Sequence, residues 1–287
     1  MDLRHEAEAS AVITALYTYP VKGCRGISHS AQALTHTGLA WDRHWMFIST
    51  AGLFLTQREC PRLACVEVEV ETHELVLRAQ GHGELRCPIE SDGPRVEVKV
   101  WRDHCYAQVN SVDTRDWLEA VTGTRGQLIR SLPGDERISE RRFTGEQVGR
   151  LRFADGYAVL LTNEGSLDDL NARLESPLSM GRFRPNVVLS GLPAFAEDDV
   201  ERIRIGNVEL RCVKPCLRCI VTTTDQSTGE RQGAEPLNTL GDYRWLDSLR
   251  GAAFGMNAIV VSGEGESLRV GDRPQIDWRE PGAPRPW

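Results

Sequence analysis

The 287-residue sequence has no apolar run long enough to cross a membrane. Its longest apolar runs, such as 158–161 and 258–261, fall far short of the roughly 20 residues that a membrane helix needs. The first ten residues are polar and of mixed charge, without the basic and then apolar order of a signal peptide. We therefore expect a cytoplasmic protein that does not bind a membrane and whose thiols are reduced.

Lysine is scarce, because only Lys22, Lys99 and Lys214 occur among the 34 basic residues. With 41 acidic residues the formal net charge is −7, so non-specific attraction to nucleic acid or anionic lipid should be weak. We expect no nucleic-acid partner, and an anionic ligand would need a local group of cations. The 40% hydrophobic and 26% charged residues are ordinary for a folded soluble protein, and the length exceeds that of one average domain.

The first hundred residues consist largely of short β-branched or aromatic runs between glycine, proline and aspartate residues. Strands are predicted over 11–19, 41–49, 63–70, 74–78 and 96–101. Apolar and polar residues alternate strictly near the last of these, so one face should be buried and the other wet. This pattern favours an antiparallel sheet or a small barrel.

A helix is predicted over 112–121, with Ser111 as its N-cap and Gly123 just after its end. The charged segment 132–149 contains proline and glycine, which indicates a long exposed connection or mobile loop. We place a domain boundary at its start, dividing the chain into 1–132 and 133–287.

The second part is predicted to contain one helix, at 163–174, among many strands. The strands are expected at 157–161, 186–189, 201–205, 208–213, 219–224, 257–261 and 267–270, with Gly206 and Asn207 as a hairpin turn. The fold class is therefore mainly β, of the α+β type.

Histidine is absent after residue 104 and cysteine after residue 219, which limits the chemistry of the pair Cys216 and Cys219. A thioredoxin-like dithiol needs its pair at the start of a helix, whereas the β-branched run that follows favours a strand. A structural zinc site needs four ligands, and no second close cysteine pair occurs. Two interpretations remain: these cysteines pack inside a sheet with Cys212, or one thiolate binds a soft metal whose other ligands come from a cofactor.

Cations follow predicted strands in three separate segments, at Lys22, Arg43 and Arg184. Lysine supplies a point charge and arginine a planar fork of donors, and together they suit a phosphate or pyrophosphate. Each cation taken alone is more typical of a solvated surface.

Six segments carry a resemblance to a known family: 19–26, 38–46, 55–58, 184–191, 214–225 and 235–240. On these segments the sequence resembles MOSC proteins with a MOSC N-terminal β-barrel domain, the group that contains the mitochondrial amidoxime-reducing component and its bacterial relatives. The resemblance implies an N-terminal β-barrel domain, followed by a MOSC β-barrel domain with a few peripheral helices. It also implies a molybdenum cofactor, Mo-molybdopterin, in which a pterin dithiolene and a protein cysteine hold the metal.

The resemblance assigns roles to particular residues. Cys219 matches the family's metal ligand, while Lys22 and Arg43 match cofactor-holding positions of the N-terminal domain. Further cofactor contacts are implied at Arg184, Asn186, Gly23, Asp155, Gly156, Leu217, Arg218 and Asn257. Gly23 stands where some relatives carry serine, and Asp155, Gly156 and Asn257 match by position only. Asp225 is a candidate for hydrogen bonding near the site, although a turn carboxylate is equally expected there.

The implied reaction is a two-electron reduction at molybdenum that removes oxygen from a small N-hydroxylated substrate and releases water. A ferredoxin-type cysteine pattern does not follow Cys219, and no Gly-x-Gly-x-x-Gly follows a predicted strand. A separate electron-donor protein or reductase is therefore expected. Two alternatives stand beside this interpretation. The chain could be a carrier of sulfur, bound to Cys219, or of the cofactor, and pyridoxal phosphate binding would require a Schiff base at Lys22 or Lys214.

Overall fold

The computed structural model describes residues 11–231, 233–280, 282, 285 and 287 of the chain, so the expectation for the first ten residues lies outside it. Within these described residues, no helix is long and apolar enough to span a membrane. The strands are β1 Val12–Thr18, β2 Ile27–His29, β3 Ala31–Thr35, β4 Gly38–Leu39, β5 Trp45–Ser49, β6 Glu67–Val70, β7 Glu74–Ala79, β8 Gly83–Pro88, β9 Arg95–Val100, β10 Asp103–Val109, β11 Gly126–Ser131, β12 Arg137–Ile138, β13 Arg150–Leu151, β14 Val159–Asn163, β15 Val187–Ser190, β16 Val200–Ile205, β17 Val208–Leu217, β18 Trp245–Leu246, β19 Gly251–Ser262, β20 Ser267–Arg269 and β21 Gln275–Trp278. The α-helices are α1 Arg115–Thr122, α2 Arg141–Thr144, α3 Glu164–Asn171 and α4 Leu237–Tyr243.

The largest sheet has nine strands and contains most of the second half of the chain. Its order is β2-β1-β15-β14-β19-β17-β16-β21, with β18 paired to β19. Strands β14 and β15 run parallel, and the other pairs along this order are antiparallel. Because β1 pairs with β15, the first strand of the chain belongs to the sheet of the second half. The division at residue 132 stays a prediction.

Two smaller antiparallel sheets form the N-terminal half-barrel, in the orders β5-β11-β10-β9 and β6-β7-β8. Trp45, Phe47 and Leu63 are fully buried in the core of this region, and α1 covers it with Leu118. Burial of such large apolar side chains stabilises the fold by about 1.5–3 kcal/mol for each residue. The prediction of a mainly β fold is confirmed.

Helix α1 begins three residues later than predicted, and Ser111 is not its N-cap. The cap is Thr114, whose hydroxyl donates to the carbonyl of Gly126 instead of accepting from the helix. A carboxylate oxygen of Asp113 accepts from the amide of Arg115 in its place. Gly123 ends the helix in the left-handed conformation, with φ 76°, as predicted. The other predicted helix is also present, as the shorter α3 with Asn163 as N-cap.

The prediction of a long exposed connection over 132–149 is wrong. Strand β12 pairs with β13, and α2 carries Phe143 into a core cluster with Val213 and Ile259. The charge that suggested exposure is partly satisfied inside, since the buried Arg137 forms an ion pair with Asp103 at 2.7 Å. The charge content therefore gave a wrong prediction of exposure, because the ion-pair partner of Arg137 lies far away in sequence.

The strand predicted over 219–224 is also wrong. Strand β17 ends at Leu217, and a 3₁₀-helix spans Ile220–Thr223. The hydroxyl of Thr222 donates to the carbonyl of Cys219, and Thr223 bonds the carbonyl of Ile220 in the same way. Such local side-chain bonds compete with sheet pairing, so threonine content here does not produce a strand. Cys219 consequently lies at a bend after the strand.

Candidate functional site

Loops from both halves of the chain enclose one open cleft. Its volume is about 850 Å³ when the solvent-filled mouth is included. The walls come from the loops after β1, β4 and β5, the segments before β14 and β15, the end of β17, and β19. The lining residues are Lys22, Gly23, Arg43, Thr56, Gln57, Arg58, Ala154, Asp155, Gly156, Tyr157, Leu160, Phe183, Arg184, Asn186, Cys216, Leu217, Arg218, Cys219, Val221 and Asn257.

Two of the eight cysteines, Cys216 and Cys219, belong to this lining, and all eight are free thiols. Arg58 Nη2 lies 3.1 Å from the Cys219 sulfur and donates to it. Arg218 Nη1 donates to the Cys216 sulfur at 2.9 Å. Cys212 is buried in the sheet, and burial raises the pKa of its thiol to about 12. Cys219 is therefore a partly exposed thiol beside a fixed positive charge.

Zinc chemistry finds no support in the side chains that surround these thiols. Among the described residues, no group of three or more histidine, cysteine, aspartate or glutamate side chains could hold a metal ion. A metal at Cys219 would thus need ligands that the described chain does not supply, as a cofactor does.

Lys22 is a buried cation that lines the cleft. Its ammonium donates to an Asp155 carboxylate oxygen at 2.5 Å and to the Phe153 carbonyl at 2.7 Å. Burial lowers the pKa of Lys22, against the opposing influence of Asp155. Desolvation would raise the pKa of the Asp155 carboxyl, but the Lys22 ammonium beside it holds that pKa well below its usual range. The ion pair and the carbonyl contact therefore fix the position of the Lys22 ammonium at the cleft.

Arg43 and Arg184 share one aromatic platform. Their guanidinium carbons lie 4.5 and 4.1 Å from the centre of the Tyr19 ring. Both residues have left-handed backbones, with φ 50° and 55°, which costs a non-glycine residue about 1–3 kcal/mol. Burial lowers the pKa of Arg184 to about 10, and the nearby Arg43 adds to that effect. Arg184 is thus a desolvated cation beside Arg43, which is paired with the buried Asp42 carboxylate at 2.5 Å, and both are held at a local cost in backbone strain.

Asn186 connects the two halves around this platform. Its side-chain oxygen accepts from Arg43 Nη1 at 3.2 Å and from the Leu160 amide at 3.0 Å, and its nitrogen donates to the Tyr17 carbonyl. Asn257, on β19, donates to the Pro215 carbonyl at 3.4 Å. Both side chains line the cleft and hydrogen-bond to the segments that form its walls.

The two lining glycines differ in what surrounds them. Gly23 has φ 87°, which favours glycine, and its carbonyl accepts from Gln57 at 2.7 Å. Among the residues that the structure describes, no atom lies within 4 Å of the position that a β-carbon of Gly156 would take, so the cleft has room beside it.

Arg218 has an unfilled donor on the opposite wall. Its Nη2 donates to the Phe183 carbonyl at 2.8 Å, but its buried Nε has no hydrogen-bond partner among the described residues. The buried hydroxyl of Tyr157 is also without a partner in the described part of the chain. Buried polar atoms are normally hydrogen-bonded, so these two favour a ligand that would satisfy them.

Asp225 does not line the cleft, unlike the other candidate residues. Its carboxylate accepts from Arg182 at 3.1 Å, and from the amides of Ser227 and Thr228 within its own turn. These contacts correspond to the turn-carboxylate interpretation. Lys214 is likewise not a lining residue, since its ammonium lies over the Phe143 ring at 4.6 Å.

Several lining side chains received no role from the sequence. Thr56, Gln57 and Arg58 fall in the short segment 55–58, which carried the resemblance without an assigned function. With Arg58 included, the side chains that line the cleft carry more positive than negative charge. The cationic lining residues are Lys22, Arg43, Arg58, Arg184 and Arg218, against the one lining carboxylate of Asp155 and, outside the lining, the Asp42 carboxylate that pairs with Arg43.

This donor set fits molybdopterin. Three of the cleft cations, Arg58, Arg184 and Arg218, form no ion pair among the described residues, so they suit its phosphate group. A thiol that lines the cleft suits a soft metal. The unpartnered donors of Arg218 and Tyr157 would be available to the polar edge of a pterin.

Known families and proteins resemble this chain over most of its length. The MOSC N-terminal beta barrel domain matches residues 10–125, and the MOSC domain matches residues 148–274. Mitochondrial amidoxime-reducing component 1 of Mus musculus is 32% identical over 286 residues, which cover 94% of this chain and 83% of the relative. Its counterpart in Danio rerio is 35% identical over 248 residues, covering 82% of this chain and 75% of the relative. The crystal structure of the YuaD protein from Bacillus subtilis aligns with 94% of this chain and 97% of its own, at 10% identity and a TM-score of 0.41. With both domains matched and identity above 30% over most of its length, the chain belongs to the MOSC family that includes the mitochondrial amidoxime-reducing components.

Proposed function

We propose that this protein binds a molybdenum cofactor in the cleft and reduces N-hydroxylated small molecules by removing their oxygen. The observation that carries the proposal is the convergence of five cations and the Cys219 thiol on one cavity of a chain with net charge −7. The relatives are named amidoxime-reducing components, which supports the same class of substrate. The cytoplasmic location stays a prediction.

The residues divide into those that would hold the phosphate end of the cofactor and those that face its metal. Arg184, desolvated against Tyr19 and bonded to the neutral Gln226 amide, is the strongest candidate for the phosphate, because cations with few carboxylate partners bind anions most strongly. Arg43 beside it and Lys22 would add positive charge, although each is also paired with a carboxylate. Cys219 would supply the protein's sulfur ligand, since a thiolate is a soft donor.

When bound, the cofactor supplies the two electrons and the oxygen acceptor that the reduction needs. The chain contributes position and charge. Asn186 and Asn257 hydrogen-bond to several of the segments that form the cleft, and Asn186 also accepts from Arg43, so both amides orient the walls. Burial raises the pKa of the Tyr157 hydroxyl, which keeps its proton on the oxygen atom at neutral pH and available as a hydrogen-bond donor.

Electrons would arrive from a separate donor protein or reductase, and the substrate would be a small N-hydroxylated compound such as an amidoxime. The test uses protein from a host that makes molybdenum cofactor, a chemically reduced viologen as electron source, and benzamidoxime as substrate. Wild-type protein should form benzamidine, and Cys219→Ser should lose at least about 99% of that rate because the metal loses its protein sulfur.

Cys65→Ser is the matched control, because Cys65 is also partly exposed but lies outside the cleft lining. This control should keep the wild-type rate. Full activity in Cys219→Ser would overturn the proposed role of the thiol. If no protein turns over the substrate and Cys219 carries a labile adduct of about 32 Da, the added mass of one sulfur atom, the carrier alternative replaces the enzyme.

A further inference from the structure

Trp101 is placed where a bulky residue is costly. It occupies the tight turn between β9 and β10 with φ 59°, in the left-handed region that glycine adopts without strain. Its side chain is also 40% exposed, so burial of the ring does not explain the choice. A strained aromatic residue beside a cleft indicates that its contacts compensate for the strain.

Those contacts connect the turn to the cleft. The Trp101 indole nitrogen donates to an Asp155 carboxylate oxygen at 3.1 Å, and the Phe54 ring packs edge-on at 5.0 Å. The guanidinium carbon of Arg58 lies 4.5 Å from the centre of the indole ring. The ring therefore packs against Arg58 while its position is fixed by Asp155, which also binds Lys22.

Arg58 lies between this ring and the Cys219 sulfur. Two hydrogen bonds hold its backbone, because its amide donates to the Thr56 hydroxyl and its carbonyl accepts from Arg231. The side chain carries no carboxylate contact in the described structure, and its Nη2 donates to Cys219 at 3.1 Å. An arginine without an ion-pair partner has many rotamers, so the indole ring is the contact that restricts where its charge lies.

We propose that Trp101 is a positioning residue that holds the Arg58 guanidinium against the Cys219 sulfur. This inference deepens the proposed function and rests on it for one consequence. A hydrogen bond donated to a metal-bound thiolate draws electron density from the sulfur and raises the reduction potential of the centre. Arg58 would thereby favour the reduced metal, and Trp101 would act through Arg58.

The first test measures charge at the sulfur in full-length protein made without cofactor. The alkylation rate of Cys219 is compared between iodoacetate, an anion, and neutral iodoacetamide, with the Cys219 peptide followed by mass spectrometry. The ratio of the two rates cancels the thiolate fraction and reports the local positive charge. Arg58→Gln should lower this ratio severalfold, and Trp101→Gly should lower it in the same direction by a smaller factor.

Glycine is the sharp replacement at position 101, because it removes the ring and adopts φ 59° without strain. Trp101→Phe keeps an aromatic face for Arg58 and should keep most of the ratio. Arg102→Gln removes an equal charge from an exposed neighbour and should leave the ratio unchanged. A wild-type ratio in Trp101→Gly would overturn the positioning role.

The second test measures the molybdenum reduction potential of the loaded proteins by EPR-monitored redox titration. The potential should fall in Arg58→Gln and fall less in Trp101→Gly, while Arg102→Gln keeps the wild-type value. Loaded variants with unchanged potentials would overturn the proposed effect on the metal alone. Protein that never contains molybdenum would overturn the proposed function together with that effect, and the alkylation ratio would still decide whether Trp101 holds Arg58.

Discussion

Arginine side chains have opposite surroundings in the β6-β7-β8 sheet and in the cleft. On the sheet, Arg78 forms ion pairs with Glu69 and Glu84, each at 2.7 Å. Arg86 is paired with Glu71, Glu74 and Glu84 at distances from 2.6 to 3.2 Å. These residues are partly exposed to solvent, so their charges are balanced by the partner carboxylates and also screened by water.

In the cleft, Arg184 and Arg218 contact neutral groups, whereas Arg43 is paired with the buried Asp42. Arg184 bonds to the amide of Gln226 and lies over the Tyr19 ring, while Arg218 bonds to a backbone carbonyl and to a thiol. Such partners orient a guanidinium without cancelling its charge. Residue type therefore does not distinguish a structural cation from a binding cation, whereas the chemistry of its partners does. Uncancelled charge at a concave surface is what an anionic cofactor requires.

The largest effect is expected when one positive charge of the cleft is removed. Arg184→Gln keeps most of the side-chain length but removes a desolvated cation, so we expect the bound pterin per chain to fall roughly 10- to 100-fold on dilution and dialysis. The measurement is pterin fluorescence after oxidation, normalised to protein. Unchanged pterin in a folded variant would show that the charge of Arg184 is not used for binding.

A buried acid extends the comparison to negative charge. Glu197 is fully buried, with Ser166 Oγ 2.7 Å from both of its carboxylate oxygens. Burial and the neighbouring Asp198 raise the pKa of Glu197 to about 7. The folded protein therefore binds a proton that the unfolded chain releases near its ordinary pKa of about 4.5, and the free energy of unfolding should decrease as the pH rises from there to 7.

Glu197→Gln should abolish this pH dependence, which we expect to amount to about 2 kcal/mol. Urea unfolding of wild type and variant at pH 5 and pH 8 measures it. Equal slopes with pH in the two proteins would show that Glu197 is not the responsible group.

The smallest effect is expected on the exposed sheet. Arg86→Ala removes a charge that is already neutralised, so pterin content should equal that of wild type and the melting temperature should barely change. The variant is prepared and assayed in parallel with Arg184→Gln. A loss of pterin as large as in that variant would mean that net charge, and not the surroundings of each cation, determines binding.

Much of the fold could be predicted from local patterns. Strict alternation identified β9, and the glycine and asparagine of the β16–β17 hairpin identified that turn. Local patterns failed where long-range contacts decide, as in 132–149, whose Arg137 finds its partner at Asp103. They failed again after Cys219, where threonine hydroxyls bond backbone carbonyls within a 3₁₀-helix and no strand forms.

The candidate site shows the same limit. Lys22, Arg43, Arg184 and Cys219 could be singled out from their segments. Apart from Asp225 there are eleven candidate cofactor or metal residues, and the ten besides Cys219 could be grouped with its thiol only through the resemblance. Their common cleft follows from the pairing of β1 with β15, which no single segment encodes. Trp101 could not be predicted at all, because its importance depends on Arg58 and Asp155, each more than 40 residues away.

The most direct test is the molybdenum and pterin content of wild-type and Cys219→Ser protein from a host that makes the cofactor. We predict close to one molybdenum and one pterin per wild-type chain, and a Cys219→Ser protein that keeps the pterin through its cations but loses activity. A folded wild-type protein that contains neither would contradict the account, and the sulfur bound to Cys219 would then be the chemistry to examine.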